Sequence, residues 1–307
     1  MSATPDILTI DVEEWFHGHN YLTQVPPAAW DAQEQRVVAN TERVLDLLAG
    51  HGIRATFFVL GWTASRHPDL VRRIAAAGHE IGCHSFGHPV VFEQDEAAFL
   101  ADLDRALVAL ADCGVTPVGY RAPSFTITPS VHHYLHHLQA RGFTYDCSLF
   151  PVRHPRYGQP DSPRHPFLLA APGAGDGPAD ADGALAVVPM PTWRVLGVNL
   201  PFSGGGYLRL LPGWAYRLVR AGASRQGLPC IIYLHPWEFD HYRPATGQGR
   251  LQRWRSQGGQ DTVIAKLEDL LRRGRFITLG EHVADLRRGG LPTRALPLAA
   301  DPDVAGT

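Results

Sequence analysis

The chain has 307 residues, 19% of them charged and 45% hydrophobic, with a formal net charge of −2. This is an ordinary globular balance, long enough for two average domains or one large α/β domain. The lack of a basic excess excludes a phosphate-backbone binder, and no run of about 18 apolar residues marks a membrane-crossing helix.

In chain order, the β-rich run 7–10 ends in Asp11. The stretch 35–48 follows with helical spacing, closed by Gly50 and Gly52. Residues 55–60 (Ala-Thr-Phe-Phe-Val-Leu) read as a strand buried on both faces. A helix is expected over 68–77, a strand at 81–83, a helix over 95–112, a strand at 118–120, a helix over 129–141 and a strand at 144–145. Then come a strand at 185–188, a helix over 212–225, a strand at 230–234, a helix over 261–273 and a strand at 276–279. Alternating strands and helices predict βαβ units around a parallel sheet.

Two stretches interrupt the alternation. Residues 151–184 are rich in Pro, Gly and Asp and read as an excursion, with a mobile tract at 173–183. Residues 296–307 read as a disordered tail. With no repeat and no Pro/Ser linker, a single domain over 1–295 carrying the 151–184 insertion is expected. Cys83, Cys113, Cys147 and Cys230 form no C-x-x-C pair, so reduced, buried thiols are expected. No basic segment followed by an apolar one opens the chain, so no signal peptide is expected and the cytoplasm is the expected compartment.

Functional groups of parallel α/β folds gather at the carboxyl ends of strands. Asp11, Glu13 and Glu14 follow the first strand, His84 and His88 the third, Arg121 the fourth, Asp146 the fifth, and His235 the run 231–234. His84 and His88 form an H-x-x-x-H, able to meet one ion from a helical turn or a tight loop. Among 16 histidines such a pair arises by chance about once. His132/His136 and His133/His137 share the spacing, but inside a helical segment they read as a solvated or packed face. Closely spaced carboxylates let one bind metal while another stays free as a base, although acidic residues also favour helix starts. Two histidines and a carboxylate suit Zn²⁺, Co²⁺, Fe²⁺, Ni²⁺ or a similar divalent ion. Asp11 and Glu13 share one side of an extended backbone while Glu14 faces away, which favours Glu13 as the ligand.

The ordered segments Thr9-Ile-Asp11-Val-Glu13-Glu14-Trp15-Phe16, 55–61, His84-Ser-Phe-Gly-His88, Gly119-Tyr-Arg121-Ala-Pro123-Ser-Phe125, Tyr145-Asp146-Cys-Ser148 and Leu234-His235-Pro236-Trp237-Glu238 carry a resemblance. Together they resemble the polysaccharide deacetylases with the NodB homology domain, carbohydrate esterase family 4. The subgroup found with exosortase and exopolysaccharide clusters is most similar, over about 7–286. The resemblance implies a distorted, incomplete (β/α)7 barrel. It implies Asp11 as base, Glu13, His84 and His88 as metal ligands, Arg121 as the arginine orienting the base and His235 as general acid. It also implies Leu234 beside the acetyl methyl and Asp146 as a tuning carboxylate. One departure is that Val12, not a second aspartate, follows Asp11.

The implied reaction is metal-dependent removal of N-acetyl groups from an amino-sugar polymer or its precursor, a lipid-linked one included, which would place the chain peripherally at the inner membrane. Asp11 would take the proton of water, backbone N–H groups near 120–124 would hold the oxyanion, and His235 would protonate the leaving amine, with Asp146 raising its pKa. Trp15, Tyr120, Phe125 and Trp237 flank the motifs and are the expected sugar-facing aromatics. The glycine-rich segment 202–207 reads as a loop for close ligand approach, and the helix over 212–220 as a core helix with a basic outer face rather than a membrane anchor. An allantoinase-like hydrolase of a small cyclic amide and a non-catalytic glycan binder are the competing readings.

Overall fold

Every residue of the first strand, β1 (Asp6–Val12), is buried, as the apolar run predicts. The computed structural model describes residues 5–296 except 19–20, 22–23, 155–156, 178–182, 243–253 and 255–257. After β1 come α1 (Val37–His51), β2 (Thr56–Val59), α2 (Gly61–Arg66), α3 (Pro68–Ala76), β3 (Glu80–Cys83) and α4 (Glu96–Ala111). Next are β4 (Gly119–Tyr120), α5 (Tyr134–Ala140), β5 (Tyr145–Asp146), β6 (Phe167–Leu169) and β7 (Ala186–Val187). A hairpin, β8 (Thr192–Val195) and β9 (Val198–Pro201), leads to α6 (Gly205–Leu210), α7 (Gly213–Arg225) and β10 (Ile231–Leu234). The described chain closes with α8 (Gln260–Arg273), β11 (Phe276–Ile277), α9 (Leu279–Gly289) and β12 (Thr293–Arg294).

The main sheet runs β10-β1-β2-β3-β4-β5-β7-β6-β12, with β11 also on β1. From β10 through β7 every pairing is parallel; β6 meets β7 antiparallel. The expected α/β architecture with a mostly parallel, incomplete barrel is therefore present, and the sheet does not close. Among the described residues no helix is long and apolar enough to cross a membrane.

Local chemistry sets the boundaries. Asp95 caps α4 by accepting Ala98 N–H at 2.8 Å, and Gly52 ends α1 in the left-handed region at φ 64°. The strand expected over 276–279 stops at Ile277, because the Thr278 hydroxyl accepts Glu281 N–H and Glu281 answers in a capping box that starts α9. The helix expected over 129–141 is a 3₁₀ turn, Pro129–Val131, followed by α5. The excursion at 151–184 contains β6, tied to both β7 and β12. Of the tract expected to be mobile, 178–182 lie outside the described residues, as do 297–307 of the expected tail; Leu296 packs on the core. The α2 helix and the β8–β9 hairpin had no reading in the sequence, and α6 begins inside the segment 202–207 that was expected to be a loop.

Candidate metal centre and active site

The carboxyl ends of β1, β3, β4 and β10 converge. Side chains on a strand alternate, so Thr9 and Asp11 share a face, and both accept from one nitrogen of Arg121: Nη1 lies 2.8 Å from Thr9 Oγ1 and 2.7 Å from Asp11 Oδ1. Arg121 is 0% exposed. Its guanidinium lies 4.3 Å from the ring centroid of Phe58 and 5.5 Å from that of Phe125, and Nη2 meets the sulfurs of Cys147 and Met190. A desolvated cation is tolerable only with its charge partner, so Asp11 fixes the guanidinium and is fixed by it. The backbone of Arg121 is used as well: its carbonyl accepts from His84 Nδ1 at 2.7 Å. That bond leaves His84 Nε2 with a free lone pair, as a metal-binding imidazole requires.

Glu13, His84 and His88 bring one possible ligand atom each to within 4.8 Å of one another, all three buried. Among the described residues no other His, Cys, Asp or Glu group meets that test. His88 Nε2 lies 2.9 Å from Glu13 Oε2. Burial raises the Glu13 carboxyl, but the surrounding His88, His235 and His84 rings outweigh it and hold it well below the ordinary range. Burial pushes His84 down to about 4, keeping it neutral. His88 Nδ1 is buried without a hydrogen-bond partner. A neutral imidazole on His84, a second imidazole on His88, an ionised carboxylate and an orphaned ring nitrogen suit a divalent cation.

The two histidines meet through a loop, not a helical turn. Ser85 and His88 both sit in the left-handed region, at φ 64° and 53°, which costs of order 1–3 kcal/mol each. The loop is pinned from α4 by Asp102, whose carboxylate accepts Phe86 N–H at 2.8 Å and Gly87 N–H at 3.0 Å. Sequence reasoning missed Asp102; mid-helix on α4, it gives no local signal.

Glu14 does not join the cluster. Its Oε1 accepts Arg36 N–H at 2.6 Å and Val37 N–H at 2.8 Å, so it caps the start of α1. His17, also missed, accepts Glu14 N–H on Nδ1 and stacks against His88 with ring centroids 6.4 Å apart. Burial pushes it down to about 3, so it is a neutral packing group.

His235 faces Glu13 Oε1 across 3.6 Å with Nε2 and donates from Nδ1 to Glu238 Oε1 at 3.0 Å. Burial lowers its pKa, but Glu13 and then Glu238 outweigh burial and push it up to about 9. Glu238 is held in turn by Arg209 Nε at 2.8 Å. The carboxylate on His235 is thus Glu238, not Asp146 as expected. Asp146 instead accepts from Ser148 N and Oγ, and Ser148 Oγ accepts Ala122 N–H. Burial pushes Asp146 up to about 7. It braces the loop after Arg121.

Other expectations shift too. Tyr120 is the strand neighbour of Arg121 and so points the opposite way; it is 0% exposed, with its hydroxyl on Ser85 Oγ at 2.7 Å. Trp15 is buried between Phe16 and Tyr21, and Leu234 is buried beside β1. Phe125 is buried against Phe150 and Tyr233. Trp237 alone of the expected aromatics lies at the cluster: it stacks on His235 at 4.9 Å, points Nε1 at Glu13 Oε1 at 3.5 Å, and stays half-buried. Arg121 N–H donates to Cys83 O and Ala122 N–H to Ser148 Oγ, so neither is available to an oxyanion. The glycine-rich segment starts α6, and the close approach it permits is internal: a Cβ on Gly205 would fall 2.1 Å from Glu238 Oε2. His132 pairs with Gln159 and His137 with Glu96, as packed and surface groups of a helical face.

A polysaccharide deacetylase family model matches residues 29–143, and the model of a domain of unknown function, DUF3473, matches residues 147–284. The chain is 50% identical over 70 residues to a chitooligosaccharide deacetylase of Rhizobium leguminosarum bv. trifolii, covering 23% of this chain and 33% of that protein. It is 45% identical over 56 residues to a peptidoglycan-N-acetylglucosamine deacetylase of Bacillus cereus, covering 18% and 20%. The matched stretches thus span a third or less of these relatives. The fold matches a solved candidate polysaccharide deacetylase from Mycobacterium smegmatis with a TM-score of 0.61 at 23% identity, covering 98% of this chain and 96% of that one. Residues 29–143 thus match the polysaccharide deacetylase model, and the chain as a whole shares the fold of the candidate deacetylase from Mycobacterium smegmatis.

Proposed function

We propose that the protein is a metal-dependent N-deacetylase of an amino-sugar glycan or its precursor, a lipid-linked one included, and that it releases acetate. The observation that carries this reading is the double use of Arg121. One residue fixes Asp11 with its guanidinium and His84 with its carbonyl, and so sets a base beside the Glu13–His84–His88 cluster, while His235 faces Glu13 from β10. The relatives named above act on chitooligosaccharides and on peptidoglycan N-acetylglucosamine, which supports an N-acetylated glycan.

Glu13, His84 and His88 would hold a divalent ion, with Zn²⁺ the best match to the donor set. When bound, such an ion lowers the pKa of water toward neutral and polarises a carbonyl. Asp11, oriented by Arg121, takes the proton of the attacking water. His235, protonated and held by Glu238 through Nδ1, delivers a proton from Nε2 to the departing amine. Trp237 offers a half-buried face beside the cluster for a sugar ring.

The test is acetate release from N-acetylglucosamine oligomers and from peptidoglycan, before and after chelation and with divalent ions added back. Release lost on chelation and regained with metal supports the proposal. Hydrolysis of a small cyclic amide with no acetate released would support the allantoinase-like reading. Metal-loaded protein that binds glycan without turnover would make it a binding protein.

A further inference from the structure

The hairpin and α7 carry surface that the proposed reaction does not use. Leu196 is 99% exposed, Trp214 67%, Val198 57%, Leu218 52% and Leu200 40%. The pairings Trp193↔Leu200 and Val195↔Val198 place these four on one face of the hairpin, with Arg194 and Asn199 on the other. At the base of the apolar face, Trp193 lies on Gly222 of α7, where an added Cβ would fall 2.3 Å from the indole Nε1. The rest of that face extends beyond this contact to a tight turn at Leu196-Gly197, both left-handed.

The helix continues the same surface. At 3.6 residues per turn, Trp214, Leu218 and Arg225 fall within roughly 40° of one another, with Gly222 roughly 40° further toward the hairpin side. Tyr216 and Ala223, on the opposite side, are buried. The exposed stripe of α7 and the outer hairpin therefore form one apolar ridge. Trp214 is an outer residue, so the helix expected to have a basic outer face also carries apolar groups outward.

The charge is one-sided. Between residues 183 and 237 the sequence holds Arg194, Arg209, Arg217, Arg220 and Arg225 and no Asp or Glu. Arg209 is committed to Glu238 and Arg220 to Asp6. Arg194, Arg217 and Arg225 are exposed, Arg217 with a single 3.3 Å contact to Asp269. An aromatic and branched aliphatic ridge rimmed by arginines suits the boundary of an anionic bilayer: the apolar groups enter below the headgroups and the guanidiniums meet lipid phosphates. The hairpin also leaves the sheet just after Met190, whose sulfur lies 3.9 Å from Arg121 Nη2, and returns at Ser203, whose carbonyl accepts Tyr233 N–H. The root of the hairpin, at Met190, thus lies beside Arg121.

We propose that the ridge formed by the Leu196 turn and the outer face of α7 docks the protein on an anionic phospholipid surface. The test is flotation of the full chain with phosphatidylcholine vesicles, with and without phosphatidylglycerol. Binding should require phosphatidylglycerol and weaken with salt. Leu196→Asp and Leu218→Asp should each reduce binding by roughly tenfold or more, and Arg225→Ala by about fivefold. Val108→Asp, at an exposed position of α4, should bind as the unaltered chain does. Equal binding to vesicles lacking phosphatidylglycerol, or ridge variants that bind like Val108→Asp, would overturn the proposal. So would light scattering that shows the ridge variants dissociating a dimer of the chain, since the ridge would then face a second copy. Vesicle binding is read without turnover, so it stands or falls separately from the deacetylase reading.

Discussion

Arg121 donates to Asp11 across 2.7 Å in a setting where Arg121 is 0% exposed and Asp11 3% exposed. Neither charge has water to fall back on, so each depends on the other. Arg121→Met should lower stability by about 3–5 kcal/mol, because it leaves Asp11 buried and unpaired. Pairing it with Asp11→Asn should recover part of that loss, which a double-mutant cycle of urea unfolding measures. Asp11→Asn alone should keep bound metal while turnover collapses; near-full activity in that variant would remove Asp11 from its role as base.

Glu13 and Glu14 are adjacent but perform different work. Glu13→Gln should weaken metal binding beyond the roughly 10–100-fold typical of outer-shell changes, read by competition with a chelating dye. Glu14→Ala should leave metal affinity unchanged and cost about 1 kcal/mol through the lost cap of α1. The reverse pattern would reassign the ligand.

Glu238 orients His235, and the absence of a side chain at Gly205 makes room for it. Glu238→Gln should lower kcat by roughly 10–100-fold with little change in KM, since it disturbs the imidazole and not the metal ligands. Gly205→Ala should produce a similar loss by displacing the carboxylate. An unchanged kcat in both would exclude Glu238 as a positioning residue.

Asp146 should behave oppositely. Its folded pKa of about 7 lies above the ordinary 3.8, so the folded state holds the proton more tightly than the unfolded state. Its contribution is then fully present below about pH 3.8 and is lost as the pH rises toward about 7, with a slope of at most about 1.4 kcal/mol per pH unit. Asp146→Asn should flatten stability across that window and keep activity within about a factor of ten, because Asp146 braces Ser148 and not His235. A flat wild-type profile from pH 4 to 7 would refute this account.

Much of this was legible in the residues. The buried runs at 7–10 and 55–60, the helix-ending glycine at 52 and the alternation of periods fix a parallel α/β fold, because these signals are local and strong. Asp11, Glu13, His84, His88, Arg121 and His235 were marked by strand-end placement, and the two-residue period already separated Glu13 from Glu14. The tertiary structure decided which partners these groups meet. Glu238 rather than Asp146 reaches His235, since the 3₁₀ turn after β10 folds the carboxylate back on the ring, and strand parity turns Tyr120 away from the site its neighbour enters. Asp102, set mid-helix, and the outward face of α7 carry no local mark. A sequence specifies the period and the breakers of each element; which side chain fills a given space depends on how distant elements pack, and only the folded chain determines that.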